Sequence, residues 1–394
     1  MERNLGDGSK KRSTTWKQLI RQQGPGFLAW LESSEFRLTA FRELANNLKE
    51  YLLNFVLNQS PVYQEQNKQI NKESCELFVS NLPLVLSRCD DDIYDNSLVA
   101  DAYAYIHLLE RYRRFWSVLI ELTNALALPL SDQGINVLDI GTGPAPALYA
   151  VSDFYQALHL YAEDVDCPEL AIPQPELGSV ESSYSMRHLF HILSEIGERK
   201  NGPFGTSFGT FEDLDLEKER RNRKDSRISQ IINEDDTSEE HAKWWVDGNE
   251  PWWNIIYRYN LCIFSNFLTQ PDSITKFQNE LKSVFREIRP GGVIAVVGGK
   301  GKQYPRIYEM MDELAAEMHV NRIDSIPENV PCTYGNAYTK TIKKLYKDIW
   351  QILERKCDDI DALRANLPSD IWDDNTPVDG PSSFGLRVFR KGKF

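Results

Sequence analysis

No two of the six cysteines (Cys75, Cys89, Cys167, Cys262, Cys332 and Cys357) lie at CxxC spacing, so neither a zinc ribbon nor a dithiol redox pair has a motif to stand on. Their scatter reads as reduced thiols in a cytoplasmic protein. Histidine is equally sparse, six in 394 residues. His188 and His191 would share a helix face, and ordinary helix residues explain that pair better than a metal does. No apolar stretch approaches the ~20 residues that a membrane span needs. The opening residues, MERNLGDGSKKRSTTWKQL, are basic but have no apolar core, which excludes a secretory signal. Glu2 and Asp7 argue against an organelle transit peptide. Positive charge is in deficit: 45 Lys and Arg stand against 58 Asp and Glu, a net charge of −13. Nucleic acid held on a general basic surface is disfavoured on that count, which leaves only a local patch for such a partner.

What remains is an ordinary globular composition, 41% hydrophobic and 26% charged, in a chain too long for one compact domain. Residues 1–24 read as a flexible basic tail. Residues 25–130 read as a helical domain. In its first half Phe41, Leu44, Leu48, Leu52 and Phe55 recur at three- and four-residue steps. Its second half carries one long helix, SLVADAYAYIHLLERYRRFWSVLIELTNALAL, opened by N-cap candidates at Asp90 to Asn96 and ended by Pro129.

From 131 to 394 the texture changes to strand–helix alternation, which implies a parallel sheet covered on both faces. Strands are expected at 135–141, 177–182, 261–268, 292–299 and 384–392, with a weaker one in FGTSFGTFEDL. Helices are expected between them, including 304–319 and 339–356. Two stretches interrupt the pattern. Residues 161–176 are acidic and proline-rich and read as a loop insertion. Residues 212–252 mix charge blocks with two tryptophan pairs, Trp244-Trp245 and Trp252-Trp253.

The strongest motif is Val137-Leu138-Asp139-Ile140-Gly141-Thr142-Gly143-Pro144-Ala145, between a strand and a helix. Glycines there let the backbone turn and approach a ligand, and the helix that follows offers free N–H groups. A dinucleotide GxGxxG would need glycine where Pro146 stands. The pattern acidic-x-GxGxG needs it at Ala145, a departure of one methyl group. Gly298-Gly299-Lys300-Gly301-Lys302 fails as a P-loop, because Ile294 replaces its first glycine and Gly301 its Ser or Thr.

On these residues the chain resembles the class I S-adenosylmethionine-dependent methyltransferases. VLDIGTGPAPA is similar to their first motif, FREIRPGGVIAVVG to their turn into the fifth strand, CIFSNFL to their fourth strand, and FGLRVFRKG to their closing antiparallel strand. The resemblance implies an α/β fold with a seven-stranded Rossmann-like sheet, S-adenosylmethionine as cofactor, and methyl transfer to an acceptor.

By the same resemblance, Asp139 would face the amino group of the cofactor's methionyl part, and Gly141, Thr142 and Gly143 would form the loop beneath it. Glu181 would hold the ribose, with Asp164 or Asp166 as the alternative. Glu212 or Asp213 would face the adenine amino group, and Ser265 and Asn266 would lie where the methyl group leaves.

Strand four lacks (Asp/Asn)-Pro-Pro-(Tyr/Phe), which disfavours methylation of exocyclic base amino groups. A small-molecule acceptor is therefore expected. An RNA methyltransferase guided by the basic N-terminus and Arg111–Arg114, and a non-catalytic scaffold, are the competing readings. Tyr103, Tyr105 and Arg111 on the long helix, with Trp244, Trp245, Trp252 and Trp253, are the candidates to line the acceptor cleft. The two groups are expected to roof one cleft above Gly141.

Overall fold

The structure is a computed structural model. It describes residues 8–58, 71–87, 96–131, 134–197, 204–211, 214, 216–235, 237–248, 259–265, 267–301, 303–332, 335–358, 360–365, 367–369 and 383–392. Glu212, Asp213, Asn266, Trp252 and Trp253 lie outside them.

Eight strands make one sheet: β1 (Asn136–Ile140), β2 (Glu176–Val180), β3 (Phe204–Phe208), β4 (Leu261–Ser265), β5 (Val293–Gly298), β6 (Val320–Arg322), β7 (Asn329–Pro331) and β8 (Ser383–Lys391). Their order is β3-β2-β1-β4-β5-β8-β6, with β7 also paired to β8. The first five strands run parallel, and β8 enters antiparallel beside β5. β6 pairs with the Phe389–Lys391 end of β8 and β7 with its Ser383–Gly385 end. Together they fill one position in two pieces, so the expected seven-stranded sheet is present with its last strand broken.

Thirteen helices are described: α1 (Gly8–Ser33), α2 (Phe36–Tyr51), α3 (Lys72–Ser87), α4 (Ser97–Asn124), α5 (Pro146–Asp164), α6 (Tyr184–Ile196), α7 (Leu216–Asp235), α8 (Glu239–Gly248), α9 (Pro271–Lys276), α10 (Gln278–Glu287), α11 (Tyr304–Glu317), α12 (Asn336–Lys356) and α13 (Ile360–Arg364). None is long and apolar enough to cross a membrane.

Strands β4 and β5 are buried at every position, as parallel strands covered on both faces must be. Their alternating side chains feed two cores. Val137, Leu177, Ile263, Ala295 and Val297 join α1 to α6 and α12 in one apolar cluster. Leu138, Ile140, Cys262, Phe264, Ile294 and Val296 join α9, α10 and α11 in the other.

The N-terminal helices therefore share a core with one sheet face. Residues 8–24, expected to be a flexible tail, belong to α1, which runs through Pro25. Glycine there serves close packing: a Cβ on Gly26 would stand 2.5 Å from Tyr161 Oη. The stretch 161–176 is likewise only partly a loop. α5 continues to Asp164, and Pro168–Leu170 forms a short 3₁₀ turn.

Candidate functional site

Parallel register carries Ile140 opposite Val180, so Gly141 and Glu181 leave the sheet side by side at its carboxyl edge. In an open α/β sheet this edge, beside the strand where the order reverses, is where ligands sit. The loop is folded by its own sequence. Gly141 (φ 70°) and Gly143 (φ 56°) take left-handed backbone conformations, and Ala145 (φ 62°) takes a third just before α5. The N–H groups of Gly141 and Thr142 donate to Val180 O at 2.9 and 3.1 Å. The Thr142 hydroxyl donates to Asp139 O at 2.8 Å. That hydroxyl is buried and engaged in the fold.

Glu181 closes the loop from the other side. Gly143 N–H donates to its Oε2 at 2.6 Å, and Ser183 N–H to its Oε1 at 2.9 Å. Arg187 donates to the Glu181 and Ser182 carbonyls and fixes the turn. Asp164 instead accepts from Trp30 Nε1 at 2.8 Å, and Asp166 sits in the turn that ends α5. Neither reaches the sheet edge. The 40 residues from Gly141 to Glu181 hold a long α5 and the irregular segment after it.

Asp139 is fully buried, and neither carboxylate oxygen has a hydrogen-bond partner among the described residues. Burial first, and the charge of Glu181 second, push its carboxyl well above the usual range. Such a group wants a cationic or N–H-bearing partner.

Ser265 ends β4 and is buried. Two residues on, the Phe267 ring covers Gly141: a Cβ there would meet Phe267 Cβ at 2.8 Å. Phe267 also meets Phe211, at 5.4 Å between centroids, and Phe277, at 5.2 Å.

Tyr103 stands beside the loop, its Cε1 3.9 Å from where a Cβ on Gly143 would be. Arg111 lies 4.8 Å above the Tyr103 ring and donates to its hydroxyl. Tyr105 faces the other way. It is buried between Phe78 and Tyr346, at 5.6 and 4.8 Å, and belongs to the helical core, contrary to the expectation for it.

The tryptophan expectation also fails where it can be followed. Trp244 is 63% exposed. Trp245 packs on Ile228, Ile231, Ala242 and Val246, a small core that the α7–α8 pair makes for itself. α7 contacts α10, on the sheet face opposite to α4, so the two additions do not roof one cleft.

The sequence reading passed over a stripe on α4. Tyr103, His107, Glu110 and Arg114 recur at steps of four, three and four, one face of a helix. Tyr103 and His107 meet edge to face at 4.9 Å. Arg114 donates from Nε and Nη2 to Glu110 Oε1 at 3.2 and 2.6 Å, and its guanidinium lies 5.5 Å above the Phe384 ring. At the end of β5, Tyr304 and Tyr308 lie against Gly298, Gly299 and Gly385, where any Cβ would collide with their rings. That explains the glycine run at 298–299 as a seat for tyrosine.

No family model and no curated protein matches the sequence. Solved structures do align with it. They include the YcgJ protein of Bacillus subtilis (12% identity, 71% of this chain and 99% of that one, TM-score 0.33). Another is a TehB-like S-adenosylmethionine-dependent methyltransferase of Corynebacterium glutamicum (10% identity, 75% and 100%, TM-score 0.32). A third is a methyltransferase of the same dependence from Geobacter sulfurreducens, in complex with S-adenosyl-L-homocysteine (12% identity, 68% and 88%, TM-score 0.31). At TM-scores this low the likeness is coarse, and the architecture stands on this chain's own strand order.

Proposed function

We propose that the chain is an enzyme, an S-adenosylmethionine-dependent methyltransferase acting on a small-molecule acceptor. The observation that carries this reading is the bridge from Gly143 N–H to Glu181 Oε2 at the carboxyl edge, with the orphaned Asp139 carboxylate on the same strand end. The residues present fit the cofactor. Asp139 offers a buried carboxyl to an ammonium group, Gly143 leaves space for close approach, and Glu181 sets its carboxylate at the same edge, where ribose hydroxyls would meet it. Ser265 closes the edge at β4, and Tyr103 and Arg111 wall it from α4. The sequence motifs give Glu212, Asp213 and Asn266 to the same site.

When bound, the cofactor supplies a methyl group on a sulfonium, already a good leaving group. The protein's own task is then alignment and exclusion of water. A small acceptor agrees with the net charge of −13 and with the aromatic rings at the edge. Titration calorimetry and thermal melting with S-adenosylmethionine and S-adenosylhomocysteine test the reading. Binding raises the melting temperature by mass action. No heat and no shift at millimolar ligand would overturn it.

A further inference from the structure

Lys340, Lys343, Lys344 and Lys347 crowd the first half of α12 at steps of three, one and three, which set them on one helix face. The helix has two acids, and each is taken by another element: Asp348 by Lys49 of α2, at 2.6 Å, and Glu354 by Arg364 of α13. Its first turn has no acid, although that is where acids are favoured. In a chain of net charge −13 this is a local reversal of sign.

α2 adds to it. The two helices run side by side in one direction, because Phe41 meets Tyr338, at 5.0 Å between centroids, and Lys49 meets Asp348. Arg42, one residue past Phe41, is therefore level with Lys340, two past Tyr338. Arg42 and Lys49 are seven apart on α2, and Lys340, Lys344 and Asp348 follow at steps of four on α12, so the Lys49–Asp348 pair brings both faces to one seam. Arg42, Lys340 and Lys344 are exposed along it, and none makes an ion pair among the described residues. Lys343 and Lys347 have partners of their own and are not counted. At the head of the seam the Arg37 guanidinium lies 5.7 Å from the Tyr338 ring, and its buried Nε has no acceptor among the described residues. Burial pushes the Tyr338 hydroxyl up, and the charges of Arg37, Arg113 and Arg42 pull against it.

Lys340 and Lys344 repel each other at this spacing, and an anion across them lifts the repulsion. The seam also lacks what other partners need. No large apolar side chain is exposed on α2 or α12 among the described residues. A protein interface has an apolar or aromatic centre and is poor in lysine, and a helix lying on a membrane inserts apolar side chains. Phosphates ask only for cations and N–H groups. The row is extended, with Lys340 and Lys344 ~6 Å apart along the axis and Arg42 beside them, which suits successive phosphates of one strand.

We propose that the seam between α2 and α12 binds the phosphate backbone of a single nucleic-acid strand through Arg42, Lys340 and Lys344, without reading its bases. The surface lies apart from the glycine loop. Arg113, whose guanidinium is 5.7 Å from the Tyr338 ring, is ten residues of α4, or ~15 Å, beyond Tyr103. The strand is a docking partner and not the methyl acceptor; its binding needs no cofactor and goes beyond the methyltransferase reading.

The test is fluorescence anisotropy with the full chain and a labelled oligouridylate of about 12 nucleotides, from about 50 mM salt upward. Three phosphate contacts on a single strand predict a log–log salt slope of about −2. Lys340→Gln with Lys344→Gln should weaken binding by about tenfold or more and cut the slope to about −0.7, whereas Lys340→Arg with Lys344→Arg should keep both. Lys243→Gln with Lys282→Gln makes the same change in net charge at lysines that pair with Glu239 and Glu317, and should leave affinity within about twofold. The Lys340 and Lys344 glutamine pair should melt no lower than the parent, because it removes like charges. The assignment is overturned if the parent chain at micromolar concentration does not bind, if the Lys243 and Lys282 pair weakens binding equally, or if the arginine pair loses it. A glutamine pair that melts several degrees lower overturns it too, as the mark of a structural role. So does displacement of the strand by polyglutamate at matched charge, which marks an acidic protein, or binding to phosphatidylserine vesicles alone, which marks a membrane.

Discussion

Gly143 and Glu181 are joined across the opening between β1 and β2, N–H to carboxylate at 2.6 Å. The bond makes the glycine loop and the acidic end of β2 one unit, although 38 residues separate them. Removing the carboxylate should loosen the loop and take away the acceptors offered to a ribose. Glu181→Ala is expected to weaken S-adenosylmethionine binding by about 1.5–3 kcal/mol, the scale of a hydrogen bond to a charged group. Asp164→Ala and Asp166→Ala should leave it within calorimetric error, since neither lies at the sheet edge.

Asp139 should reveal itself by opposite effects on folding and binding. Its carboxyl is held above the usual range by burial, so the ionised form destabilises the free protein at neutral pH. Asp139→Asn should therefore raise the melting temperature of the ligand-free chain while weakening S-adenosylmethionine at least tenfold. A melt and a titration on the same sample check both. A fall in both would mean that Asp139 is structural.

A second buried carboxyl sets a pH dependence. Asp101 is pushed up to about 7 by burial, and the hydrogen bond from Tyr51 Oη, at 2.7 Å, only partly offsets this. In the unfolded chain it titrates near ~3.9. A folded value above the unfolded one means stability fully present below about pH 3.9 and lost as pH rises through about 7. The loss is on the order of 4 kcal/mol over that window. Urea unfolding from pH 4 to 8 should show the decline, and Asp101→Asn should flatten it.

Ala145 holds a left-handed backbone that suits glycine. Ala145→Gly should stabilise the chain by about 1 kcal/mol, because the strain relieved exceeds the added freedom of the unfolded chain. Ala145→Val should lower stability further than Ala145 already does. Chemical denaturation ranks the three.

Much of this was legible in the sequence because it is local. Asp139 to Ala145 carries its turn in its glycines, and β1, β4 and β5 show as short apolar runs closed by turn residues. Glu181 was legible as an acidic residue entering a helix. Other features depend on distant partners. The boundary expected at residue 24 falls inside α1, which continues through Pro25, and Gly26 lets Tyr161 pack against it. β6 and β7 are three residues each, too short for alternation to register. Tyr105 and Tyr103 look alike in sequence, and only the two-residue offset turns one to the core and the other to Gly143. The tryptophans at 244 and 245 looked like a cleft wall because aromatic pairs in a polar stretch want cover. Their cover, for Trp245, is the insertion's own small core.

The position of β8 has a consequence for synthesis. β8 lies between β5 and the broken last strand, but residues 299–382 must be made after Gly298 before Ser383 emerges. At about 5–20 residues per second that is roughly 4 to 17 seconds. For that time β5, a fully buried strand in the finished molecule, presents a bare hydrogen-bonding edge on the ribosome. The nascent chain is most open to wrong strand pairing in that interval, and a slow stretch of translation between 299 and 382 would lengthen it.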